Sequence, residues 1–160
     1  MDIDECLRKV FKVSWKEKLN ISNELVSIHL KIEDSIIKLL DNRDSEVRNF
    51  AALTIRDMKL SKAIEPLLKA IKKYEESNNI GTLAYALENL NCWQYFQEIF
   101  ELTLINNFEV QNSALNILDE QVFYVEDKDI YSAIEKLESI DDRSTIEYNW
   151  LKSYLEGMLE

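Results

Sequence analysis

One apolar motif recurs along the chain at intervals of about thirty residues. Its copies begin at Val47, Ile80, Val110 and Ile146, positions that lie 33, 30 and 36 residues apart. An alanine stands four residues after the start of the first three copies, whereas Trp150 takes that place in the fourth. Repeats of this length are typical of stacked helical pairs, in which each pair covers the apolar face of the next. We therefore expect an array of helices and not a fold around one central core.

Composition favours an all-helical protein. The 160 residues include two glycines and one proline, Pro66. Folds rich in strands need many turn residues, so this scarcity argues against them. A hydrophobic content of 46% with 31% charged residues is ordinary for a folded domain. Because no long linker or low-complexity tract interrupts the sequence, we expect a single domain over residues 1–160.

Apolar residues at helical spacing predict the individual helices. A polar break at residues 20–22 separates the first predicted helix from the second, which is either one helix to about Leu40 or a pair with a kink near Glu33-Asp34. Pro66 suits the first turn of a helix, where its missing N–H is not needed. The predicted helices cover approximately residues 4–18, 22–40, 45–58, 64–74, 80–90, 93–105, 108–121, 126–139 and 144–158.

Charge is divided unevenly between the two halves of the chain. Residues 1–80 carry 15 basic and 14 acidic side chains, whereas residues 81–160 carry 4 basic and 16 acidic ones. The second half would repel a phosphate backbone, so we expect no nucleic-acid partner. It would attract a basic protein. The alternative is that the carboxylates only keep the protein in solution.

The sequence gives no sign of secretion or membrane insertion. The acidic start, Met1 to Glu5, lacks the basic and apolar segments of a signal peptide. No apolar stretch reaches the roughly 20 residues that span a bilayer. Cys6 and Cys92 lie far apart and are expected to be reduced thiols. These features predict a cytoplasmic protein without a membrane partner.

No pattern of residues predicts an enzyme. His29 is the only histidine, and neither a catalytic triad nor a zinc-ligand set can be read around it. No glycine-rich loop is present to hold a phosphate. The densest acidic run, residues 126–129, lies at a predicted helix start, where carboxylates favour the helix dipole. We expect no catalytic residues, no cofactor and no metal.

Residues 44–71 resemble a HEAT repeat. Asp44 precedes Val47-Arg48 and the paired Ala51-Ala52, and Pro66 introduces a leucine-rich helix, in the order that this family favours. The copy at Val110 is similar, although Gln111 stands where the family has arginine. The copies at residues 80 and 146 keep mainly the apolar frame. The resemblance extends over about residues 33–160.

The resemblance implies a right-handed α-α superhelix of about four helical hairpins. In this family the second helix of each hairpin lines the concave side, and the commonest role is protein binding. Some HEAT-like bacterial proteins are instead DNA glycosylases that excise alkylated bases, and these need a basic groove with aromatic side chains. Lys69, Lys72 and Lys73 supply a basic helix here. The acidic second half of the chain argues against that activity.

Polar and aromatic residues on the later second helices are the candidate binding residues. They recur at a spacing of three or four, which places them on one helical face. Aromatic side chains often anchor protein interfaces, although each one is more often part of a core. The candidates are Trp93, Gln94, Gln97, Glu98, Glu101, Tyr131, Glu135 and Glu138, with Tyr95 as a further aromatic.

The sequence therefore predicts a non-catalytic protein-binding module with an acidic concave surface and a basic partner. The most specific hypothesis is an immunity protein that neutralises a basic toxin domain, because charge attraction would speed its capture. One alternative is a general scaffold or regulatory adaptor. The enzymatic alternative is a protein resembling the alkylpurine DNA glycosylases.

Overall fold

The computed structural model describes residues 8–28, 32–77, 79–140 and 145–159, without the side chains of residues 27, 28 and 146. Within these ranges the chain is all-helical and contains no strand. Short 3₁₀ turns at Ser61–Ala63 and Glu75–Ser77 flank the fourth helix. The α-helices are α1 (Trp15–Ile28), α2 (Glu33–Leu39), α3 (Ser45–Asp57), α4 (Ile64–Lys73), α5 (Gly81–Leu87), α6 (Phe96–Leu102), α7 (Phe108–Glu120), α8 (Asp127–Glu138) and α9 (Ile146–Gly157).

The first helices differ from the sequence prediction. A turn occupies residues 11–14, inside the predicted helix 4–18, and α1 continues through the predicted break at residues 20–22. Ser14 causes the turn, because its N–H and hydroxyl both donate to the Glu17 carboxylate, at 3.0 and 2.7 Å. This arrangement starts a helix at Trp15. Ser22 remains helical because its hydroxyl is buried against the Thr54 hydroxyl, 2.7 Å away.

The helices form two rows. Backbones of the odd-numbered helices lie close together in the order α1, α3, α5 and α7. Each even-numbered helix also lies close to the odd-numbered helix that follows it, from α2 with α3 to α8 with α9. Among the even-numbered helices, α6 and α8 touch over a short stretch, while α4 and α6 do not come as near. Helices α4 and α6 therefore leave space between them.

Small side chains allow the odd-numbered helices to approach. Ala51 on α3, Ala84 on α5 and Ala114 on α7 are all fully buried, as the recurring alanine predicts. In the fourth copy, Trp150 is half-buried and stacks on Tyr154, with ring centroids 5.1 Å apart. Helix α9 is the last described helix of the array.

A buried arginine joins the α2–α3 turn to α4. Arg48 is 2% exposed, and its Nη1 donates to the carbonyl oxygens of Asn42 and Arg43 at 2.9 and 3.0 Å. Its guanidinium lies 3.8 Å from the ring centroid of Tyr74. The Tyr74 hydroxyl in turn donates to the carbonyl oxygen of Asp41 at 2.9 Å. Two carbonyls and an aromatic face thus replace part of the water that the guanidinium has lost, while its Nε is buried without a hydrogen-bond partner among the described residues.

Enlarging the middle alanine should destabilise the array. We expect Ala84→Leu to lower the free energy of unfolding by about 1–3 kcal/mol, because the added carbons must force α5 away from its neighbours. Chemical denaturation followed by circular dichroism measures the change. Asn116→Leu, at an exposed position on α7, is the control and should change stability by less than about 0.5 kcal/mol. Equal stability of Ala84→Leu and wild type would contradict close packing at this position.

The contact between Arg48 and Tyr74 should show energetic coupling. In a double-mutant cycle with Arg48→Met and Tyr74→Leu, we expect a coupling free energy of about 1–2 kcal/mol, since the pair is desolvated. The matched control is the cycle of Arg56→Met and Tyr85→Leu. That guanidinium lies 4.5 Å from a ring whose residue is 42% exposed, so its coupling should be smaller. Coupling of equal size in the two cycles would argue against a special role for Arg48.

Candidate functional site

Helix α6 is shorter than the sequence predicts. It begins at Phe96 and ends at Leu102, so Trp93 and Gln94 lie in the preceding turn and not on the predicted helix 93–105. The backbone N–H of Tyr95 donates to the Cys92 carbonyl at 2.8 Å, which closes that turn. Trp93 and Gln94 therefore do not share a continuous helical face with Glu98 and Glu101.

A groove of about 580 Å³ lies between α4, α6 and α8. Its apolar lining comes from Leu68 on α4, from Tyr95 and Leu102, and from Leu104 and Ile105 after the end of α6. All but Leu102 are half-buried side chains that pack against the core. The reduced approach of α4 and α6 leaves these apolar atoms accessible. Grooves of this kind, with an apolar floor and charged edges, can hold a helix or an extended segment of another protein.

The α4 side of the groove carries charges of both signs, whereas the α6 side is acidic. Glu65, Lys69 and Lys72 come from α4 and Glu75 from the turn after it, while Glu98 and Glu101 come from α6. Lys69 is paired with Glu65 at 2.7 Å, one helical turn before it. Glu101 is paired with Lys136 of α8. Glu98 and Lys72 make no ion pair with any described residue, so they remain available to a ligand.

The carboxylates predicted on α6 and the basic helix formed by the lysines of α4 therefore border one groove. The sequence could not show that Lys69 and Lys72 line the same space as Glu98. The apolar floor of the groove was not predicted from the sequence. The adjacent pair Leu104-Ile105, just beyond a polar helical stripe, was the one signal for it.

Helix α8 extends the acidic surface beyond the groove. Tyr131, Glu135 and Glu138 are exposed on it, and Tyr131 is 56% exposed. The side-chain nitrogen of Gln97 donates to the Asp129 carbonyl at 2.7 Å and joins α6 to the start of α8. The predicted binding residues thus fall into three places: the groove, the outer face of α8 and the turn before α6.

Within the described residues, no group of three or more histidine, cysteine or acidic side chains could hold a metal ion. Glu126, in the acidic run at residues 126–129, is paired with Lys128 at 2.6 Å. Burial raises the pKa of the Cys92 thiol to about 12, so that group is not a nucleophile at neutral pH. Cys6 and His29 lie outside the described residues.

No helix in the described parts of the chain is both long and apolar enough to cross a membrane. Neither the comparison with protein-family models nor the comparison with curated proteins finds a match to this chain.

Cys92 should be unreactive in the folded protein. At pH 8, a pKa of about 12 leaves about one thiol in ten thousand ionised. In a Cys6→Ser variant we expect Ellman's reagent to modify Cys92 only after guanidinium is added, with Cys6→Ser plus Cys92→Ala as the blank. Rapid, stoichiometric reaction without denaturant would contradict the burial of this side chain.

Proposed function

We propose that this chain is a non-catalytic, HEAT-like protein-binding module whose partner is a basic protein. Under this proposal the helices form a right-handed superhelix, and the even-numbered helices line its concave side. The bound segment of the partner occupies the groove and the neighbouring face of α8. No cofactor, metal, nucleic acid or membrane is involved.

The observation that carries the proposal is the combination of carboxylates and apolar side chains on α6 and α8. Glu98 and Glu135 are exposed, and neither makes an ion pair with a described residue. Tyr131 and the groove floor supply apolar contact area beside them. Lys136, the cation between the two helices, is already paired with Glu101. A basic segment would find both unsatisfied charge and apolar surface there.

A basic toxin domain is the partner class that we favour, which makes the protein an immunity protein. The second half of the chain carries 16 acidic and 4 basic residues. A field of this sign accelerates the encounter with a positively charged protein, and the effect declines as salt is added. Fast capture is what neutralisation of a toxin requires. A scaffold or adaptor would use the same surface with weaker and more varied partners.

The groove itself argues against the glycosylase alternative. Glu65, Glu75, Glu98 and Glu101 all line it. Those carboxylates would repel the phosphates of DNA, and the three lysines of the lining do not outnumber them. Lys69 and Lys136 are moreover held by carboxylates of the same lining.

Reversing charges on α6 and α8 should weaken capture of the partner. We expect Glu98→Lys plus Glu135→Lys to reduce the affinity for the basic protein about tenfold or more, mainly at low salt. Neither side chain is paired with a described residue, so the fold should survive. The measurement is affinity capture from lysate of the source organism at low and high salt, followed by titration of the purified partner in a calorimeter.

The matched control has the same change of charge elsewhere. Glu76 and Asp119 are exposed, and they lie on the turn after α4 and on the odd-numbered helix α7. We expect Glu76→Lys plus Asp119→Lys to keep nearly full affinity. If both double variants lose affinity equally, net charge and not this surface controls binding. Recovery of nucleic acid alone, without a basic protein, would refute the proposal.

A further inference from the structure

Two connections run side by side at one edge of the molecule. Residues 88–95 join α5 to α6, and residues 121–126 join α7 to α8. The side chain of Gln121 binds the first connection twice: its Oε1 accepts from the N–H of Cys92 at 2.8 Å, and its Nε2 donates to the carbonyl of Leu90 at 2.9 Å. The N–H of Tyr124 donates to the carbonyl of Trp93 at 3.3 Å. These hydrogen bonds hold the two connections together as one platform.

The platform presents apolar side chains to solvent. Along the second connection, Phe123 points inward and packs edge-on against the Phe96 ring, with centroids 5.8 Å apart. Its neighbours Val122 and Tyr124 are 90% and 85% exposed, and Trp93 on the first connection is 41% exposed. We name Trp93, Val122 and Tyr124 the turn patch. Exposed apolar residues on a rigid base are typical of an interaction surface.

The residues around the turn patch favour a positively charged side chain. Trp93 and Val122 line a depression of about 480 Å³ together with Glu88, Asn89 and Asn91. Within the described residues Glu88 makes no ion pair, and no lysine or arginine lines the depression. A tryptophan ring and a carboxylate at one site are favourable partners for an arginine or lysine side chain.

We propose that the turn patch binds an extended segment of a partner protein in which a basic residue lies two positions from an aliphatic one. Residues two apart in an extended segment project from the same face. The aliphatic side chain would then cover Val122 and Tyr124, while the basic side chain enters the depression beside Trp93. A second copy of this chain is a poor occupant, because each copy carries a net charge of −11. This surface lies on the turns, apart from the groove and α8, so the two proposals stand independently.

The test uses a peptide of defined sequence, acetyl-Ser-Leu-Ser-Arg-Ser-Leu-Ser-amide, added to the full-length ¹⁵N-labelled protein. We expect saturable NMR shifts of the Trp93 indole N–H and of the amides of Glu88, Val122 and Tyr124. Replacing the arginine of the peptide by glutamate should abolish them. The double variant Trp93→Ala plus Tyr124→Ser should weaken binding about tenfold. Phe108→Ser, at a residue that is 78% exposed on α7, is the matched control and should bind as wild type does.

Three results would overturn the proposal. The first is the absence of saturable shifts at the turn patch up to millimolar peptide. The second is an equal response to the arginine and glutamate peptides. The third is a set of shifts confined to α6 and α8, which would support the acidic surface of those helices but not the turn patch. Repeating the titration with Glu98→Lys plus Glu135→Lys separates the two surfaces, because shifts at the turn patch should persist in that variant.

Discussion

Close contact between the odd-numbered helices is the constraint on which the other features depend. Ala51, Ala84 and Ala114 bring α3, α5 and α7 together at fully buried positions. On the other side of the molecule, α4 and α6 approach less closely. The space between them is the groove. The groove therefore arises from a difference in helix spacing between the two rows.

The charge of the even-numbered helices changes along the row. Helix α4 offers Lys69 and Lys72, whereas α6 and α8 offer mainly carboxylates. The α4 side of the groove also holds Glu65 and Glu75, so its charges are mixed, and negative charge predominates only towards α6 and α8. Under the proposed function, a basic segment is therefore attracted most strongly to the α6 and α8 part of this surface.

Hydrogen bonds hold together the two connections formed by residues 88–95 and 121–126. Gln121 bonds to the backbone of the neighbouring connection at two points, and Phe123 anchors the segment in the core. Neighbouring repeats thus support one another through their connections as well as through their helices. The edge consequently offers a second surface, formed by the exposed residues of those connections, which does not depend on the charged groove.

Local sequence signals determined much of this fold. The spacing of apolar residues located most helices, and the recurring alanine marked the close packing. Asp44 caps α3, because its carboxylate accepts a hydrogen bond from the N–H of Glu46 at 2.9 Å. These are interactions between near neighbours in the chain, so they can be read from the sequence. The tertiary structure decided the rest. Ser22 stays helical because its buried hydroxyl is hydrogen-bonded to the Thr54 hydroxyl. Glu98 shares a groove with lysines from a helix about thirty residues earlier. Trp93 lies beside Val122 and Tyr124 because two connections pair with each other. Each of these depends on a partner that is distant in sequence, and the register between repeats that brings such partners together is set by packing.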